Sequence, residues 1–174
     1  MKYLVLLASL LSALCPAAGE RVATRLGSLK ESVTALRAEK PDFSEAAYVG
    51  ARLAALLTTM QEHLEETLPE DPEHKAGMLL ITKEIGERAL LYFRVAAYLD
   101  LSFNQKSDAY IQEQRAQLVS FYGQEMVRGK QLNNSVMTPL VGEDMRFSRE
   151  LYPLYEKIWI SIEQLGGKDR RQAN

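Results

Sequence analysis

The stretch "EHLEETLPEDPEH", residues 62–74, holds both histidines of the chain and six carboxylates, with no lysine or arginine among them. On a helix His63 and Glu66 lie three residues apart, as do Asp71 and His74 across the following turn, so each pair shares a face. Facing one another, His63, Glu66, Asp71 and His74 would offer two nitrogens and two carboxylates, a ligand set for Zn²⁺ or Cu²⁺. A structural reading explains the same residues. Pro69 and Pro72 define a turn, and Asp71 followed by Pro72 is a helix start. Di-iron bundles need paired Glu-x-x-His motifs, and haem attachment needs Cys-x-x-Cys-His; neither occurs here. No cofactor is expected, and metal carriage at the His63/His74 turn is the alternative to the main reading.

Arg94 stands in a nearly continuous apolar run, Ala89 to Phe103, where a guanidinium could receive an anionic ligand inside a bundle. The competing role is a side chain that buries its stem and keeps its charge at the surface. Tyr152, Tyr155 and Trp159 fall at i, i+3 and i+7, beside the apolar seam Phe147, Leu151, Leu154, Ile158 and Ile162. That stripe is wide enough to serve as core or as an aromatic partner-binding surface. Nucleophile elbows, phosphate-cradling glycine loops and His-Glu-x-x-His are absent from the sequence. With two histidines and one cysteine in 174 residues, no acid–base pair stands out, and no enzyme activity is expected.

These residues must be positioned by helices. Met1-Lys2, the apolar run Leu4–Leu14 and the small residues Ala17-Ala18-Gly19 predict a signal peptide over 1–19. An apolar core of that length is too short for a permanent span. Cys15 follows Leu14, where a lipoprotein requires a small residue, so lipidation is not expected. Cleavage removes the only cysteine, which favours a bacterial periplasmic or secreted protein without disulfides. Loss of Lys2 leaves 20 basic against 23 acidic residues, a charge of −3 (21 − 1 − 23) that argues against nucleic-acid binding. No second apolar stretch predicts stable membrane insertion.

Residues 20–167 read as one all-α domain, a mostly antiparallel bundle of about five helices, followed by a basic tail at 168–174 containing Lys168, Arg170 and Arg171. The helical seams are Val22, Leu26, Leu29, Val33, Leu36; Val49, Leu53, Leu56, Met60, Leu64; Ile81, Ile85, Ala89, Phe93, Ala96, Leu99; Ile111, Leu118, Tyr122, Met126; and Phe147 onward. Ser44, Asp71 and Ser107 are the expected caps. The third helix, apolar almost all round, is expected at the centre. Residues 130–144 lack a period and predict a long loop, Pro153 predicts a kink, and Gly166-Gly167 predicts the last stop. Gly50, Gly86 and Gly123 suggest close helix crossings, because glycine otherwise weakens a helix. The resulting expectation is an exported protein that binds another envelope or secreted protein through Tyr152, Tyr155, Trp159 and the 130–144 loop.

Overall fold

The computed structural model describes residues 26–38, 42–133 and 138–172, except the side chains of 132–133 and 165–172. The signal peptide, Cys15 and the tail side chains Lys168, Arg170 and Arg171 lie outside what is described. Five helices are present among the described residues: α1 (Lys30–Leu36), α2 (Phe43–Glu66), α3 (Pro72–Ser102), α4 (Asp108–Asn133) and α5 (Pro139–Gln172). No strand occurs among them, and no described helix is long and apolar enough to cross a membrane.

Local chemistry explains most of the boundaries. Asp42, and not Ser44, caps α2: its Oδ1 accepts from the backbone N–H groups of Ser44 at 2.8 Å and Glu45 at 3.4 Å. Asp71 caps α3 by accepting from the His74 N–H at 3.0 Å, with Pro72 in the first turn. Ser107 caps α4 through the Tyr110 N–H at 3.2 Å. The turn between α3 and α4 places Gln105 at φ 53°, a left-handed conformation that lets the chain reverse after α3. In the first seam, α1 begins only at Lys30, whose N–H bonds to Ser28 Oγ at 3.2 Å; Leu26 and Leu29 precede it.

The long helices run alternately up and down. Gly50 lies against Tyr92 and Ala96, whereas Gly86 lies against Gln61, which makes α2 and α3 an antiparallel hairpin. The short α3–α4 turn and the Tyr122–Asp144 contact between α4 and α5 continue the alternation. Tyr155 of α5 reaches Ala46 of α2, and Asp144 reaches Arg52, so α5 is antiparallel to α2 and parallel to α3. Short α1 lays Leu29, Val33 and Leu36 against the bundle. Two ion pairs, Lys30–Glu143 at 3.5 Å and Arg37–Glu150 at 3.0 Å, tie it to the beginning of α5.

The centre of the bundle is α2, not α3. From Ala46 to Leu57 every α2 residue except Ala51 is buried, including all the seam positions in that interval. On α3 the run Ala89–Phe103 leaves Leu90, Arg94 and Leu101 exposed. Its outer face therefore meets water. The expected 130–144 loop is mostly helix. Residues 130–133 end α4, and 139–144 begin α5 behind Thr138, whose Oγ1 accepts from the Val141 N–H at 3.4 Å. Residues 134–137 are outside the described part. Pro153 is exposed within α5 without ending it, and the helix continues through Gly166-Gly167 to Gln172.

Candidate functional site

The acidic turn does not close around a cation. Among the described residues, no three His, Cys, Asp or Glu side chains come together as ligands. His74 Nδ1 lies 2.6 Å from Asp71 Oδ2, the same oxygen that caps α3, so this pair is engaged at the helix start. Both side chains are exposed, as is Glu66, while His63 is half-buried on α2. Two hydrogen bonds from His74, first from its backbone and then from its ring, hold the Asp71 carboxyl below the usual range. The four residues proposed as ligands are thus cap and flank residues of one hairpin.

Arg94 points outward. Its guanidinium carbon lies 5.7 Å from the centroid of Trp159, and Arg88 covers Tyr152 in the same manner at 5.3 Å. Tyr152 and Trp159 are consequently half-buried under arginines. Tyr155 has no exposed surface; its ring stacks on Tyr92 at 4.6 Å and its hydroxyl donates to the Ala46 carbonyl at 2.6 Å. It belongs to the core, and the expectation that it contacts a partner is corrected. The reason is its spacing: Leu151, Tyr155 and the half-buried Ile158 share one seam, with Tyr152 and Trp159 at its edge. Burial raises the Tyr155 and Tyr92 hydroxyls well above their ordinary values, so both remain donors at any physiological pH.

A polar cluster absent from the sequence expectations occupies the middle of the bundle. Arg52 of α2 and Asp144 of α5 are both fully buried and lie 2.7 Å apart, Nη2 to Oδ2. Arg52 Nε lies 3.0 Å from that same Oδ2 and 3.0 Å from the Tyr122 hydroxyl, and Nη1 donates to the Tyr48 hydroxyl at 3.4 Å. Tyr122 of α4 donates to Oδ2 at 2.5 Å. One carboxylate oxygen thus collects donors from two helices, while Asp144 Oδ1 is buried with no hydrogen-bond partner among the described residues. Burial opposes the charge on Arg52, but the oxygens of Tyr122, Asp144 and Tyr48 outweigh it and raise its pKa. Burial raises the Asp144 carboxyl above the usual range, with Arg52 and Tyr122 pulling the other way. These groups join α2, α4 and α5. Their shifted pKa values follow from packing and hydrogen bonding, which is a structural use of titratable side chains.

The sequence did carry a signal for this cluster. Arg52 lies three residues after Val49 and four before Leu56, both seam positions, and Tyr48 precedes it by one turn. Asp144 and Ser148 likewise fall three and seven residues after Val141. Polar side chains on the seam hid the period of this part of α5.

The remaining unusual feature is at the free end of the α2–α3 hairpin. Leu79, Leu80 and Ile81 are 46, 66 and 53% exposed. Three consecutive helical positions sweep about 200° of the circumference. Ile81 continues the seam of half-buried Ile85 and buried Ala89 and Tyr92 outward, yet no described helix covers it. On α2, Met60 and Leu64 are half-buried toward the same end of the hairpin. Around this end stand Glu62, Glu65, Glu66, Glu70, Asp71 and Glu73, with Lys75 and Lys83 one turn to either side of Leu79, all exposed. The arrangement is an apolar surface with an acidic rim. Comparisons with protein-family models, curated proteins and solved structures gave no match.

Proposed function

We propose that this chain is an exported protein of the bacterial envelope that acts by binding another protein, without catalysis of its own. The observation that carries the reading is the apolar end of the α2–α3 hairpin. An exposed patch of large aliphatic side chains rimmed by charge is the usual form of a protein-binding surface. Leu80 and Ile81 supply its apolar centre and the six carboxylates its rim. Tyr152 and Trp159, with Ile160 47% exposed beside them, form a second and smaller surface on α5. Export rests on the sequence of residues 1–19.

The test is native mass spectrometry of the protein recovered from its own envelope, unaltered and as Leu80→Glu/Ile81→Glu. A bound protein present with the former and lost with the latter, while circular dichroism stays the same, supports the reading. Equal retention by both, or no bound protein with either, refutes it for this face.

A further inference from the structure

We infer that the occupant of the hairpin end is the C-terminal part of α5 from a second copy of this chain, giving a head-to-tail assembly. This rests on the reading of the hairpin end as a protein-binding face.

Three observations select that occupant. The first is charge. A partner meeting Glu62, Glu65, Glu66, Glu70, Asp71 and Glu73 must be basic, because like charges brought together oppose association. Two hairpin ends meeting about a two-fold axis would oppose six carboxylates to six more with two lysines on each side, which disfavours the symmetric contact. An anionic membrane surface is disfavoured for the same reason. The C-terminal part of α5, from Ile160 on, carries Lys168, Arg170 and Arg171 against Glu163 and Asp169.

The second is composition. The same helix presents Ile160, 47% exposed, and its sequence adds Leu165 before the basic residues. Apolar residues followed by cations suit an apolar surface in acidic surroundings.

The third is placement. Tyr152, Tyr155 and Trp159 meet Arg88, Tyr92 and Arg94 in the same order along the chain, so α5 runs parallel to α3. The C-terminal end of α5 and the N-terminal end of α3 therefore lie at opposite ends of the bundle. One molecule cannot bring its own two surfaces together, but neighbouring molecules can. Such a contact is heterologous, and it closes into a ring or continues as an open chain.

Sedimentation velocity on the full chain from Glu20 onward, at rising concentration in low and high salt, reads the assembly directly. The expected result is concentration-dependent association that weakens with salt. Two charge-reversed proteins complete the test: a head variant, Glu65→Lys/Glu66→Lys, and a tail variant, Arg170→Glu/Arg171→Glu. Each alone should associate roughly tenfold more weakly or worse. Both sets of changes in one chain should restore assembly. Mixing the two separate variants should also restore assembly, as an alternating chain, because each cross-contact then sets a basic end against an acidic one.

A chain that stays monomeric throughout overturns the inference, as does an assembly indifferent to all four changes. A monomer that still holds a different protein through Leu80 and Ile81 overturns it while leaving the binding face intact. A monomer that holds nothing there ends both. Assembly that is lost on deleting residues 20–25 but not on reversing the tail charges assigns the face to the N-terminal segment instead.

Discussion

Replacing Asp144 by leucine isolates the energetics of the bundle's centre. Arg52 would remain charged and fully buried, having lost the oxygen that receives its Nε and Nη2, while keeping the hydroxyls of Tyr48 and Tyr122 among its partners. Tyr122 would also lose its acceptor. Removing one member of a buried pair costs about 3–5 kcal/mol, because the other charge stays behind without compensation. Against a total stability of about 5–15 kcal/mol this leaves a folded but weakened protein. Arg52→Met should cost a similar amount, since the Asp144 carboxylate is then stranded. The double replacement, Arg52→Met with Asp144→Leu, removes both desolvation terms and should fall within about 1 kcal/mol of the unaltered protein or exceed it. Urea denaturation followed by circular dichroism, with the fluorescence of Trp159 as a second probe, supplies the four values of the cycle. Single replacements costing under about 1 kcal/mol, or a double replacement equal to their sum, would refute the account of the pair as a coupled unit.

The glycines should separate by their surroundings. At Gly50 a methyl group would stand 2.8 Å from Tyr155 Cε1, 3.1 Å from Ala96 Cβ and 3.2 Å from the Tyr92 carbonyl. Gly50→Ala should therefore destabilise by about 1–3 kcal/mol despite alanine's better helix propensity. Gly123 has nothing within 4 Å, and Gly123→Ala should stabilise by up to about 1 kcal/mol in the same denaturation assay. Tyr155→Phe removes one buried hydrogen bond to Ala46 and should cost about 1 kcal/mol, read as a lower urea midpoint with an unchanged slope. Asp71 has a pKa below the ordinary aspartate value when folded, so its capping contribution is present above that value and fades as pH falls through the folded pKa. The difference in melting temperature between the protein and Asp71→Ala should be present at neutral pH and close in acid; a gap that persists in strong acid would show that the ionised cap is not its source.

The sequence made the helical class legible because Val49, Leu53 and Leu56 repeat at the helical period and all are fully buried. Asp71-Pro72 and Ser107 marked real helix starts for the reason capping residues do: their side-chain oxygens take otherwise unpaired N–H groups. The centre of the bundle was misread because local composition does not count neighbours. The apolar run on α3 has water on one side, whereas Arg52 made α2 look less buried than it is. The start of α5 was hidden by the same effect, since Asp144 and Ser148 are polar residues on a buried seam. Gly166-Gly167 offered a stop that the chain does not take. Of the residues singled out for chemistry, Arg94 proved a surface cation over Trp159, and the histidine turn proved a capped hairpin. The apolar end of that hairpin was invisible in one dimension because Ile81 belongs to a perfect core seam, and only the position of the other helices leaves it uncovered.

That uncovered end has a consequence for the chain's internal motions. α3 is one helix by hydrogen bonding but two by support: from Thr82 onward it rests on α2 and α5, while its first turns are held by few tertiary contacts. Amide deuterium uptake should therefore divide along it, with the amides before Ile81 exchanging through local fraying and those near Tyr92 and Val95 only through whole-molecule opening. Occupation of the hairpin end by any partner would then appear as slowed uptake in residues remote from the rigid centre, without a change of shape. The third of the helix that contributes least to holding the protein together is the third left available for something else to hold.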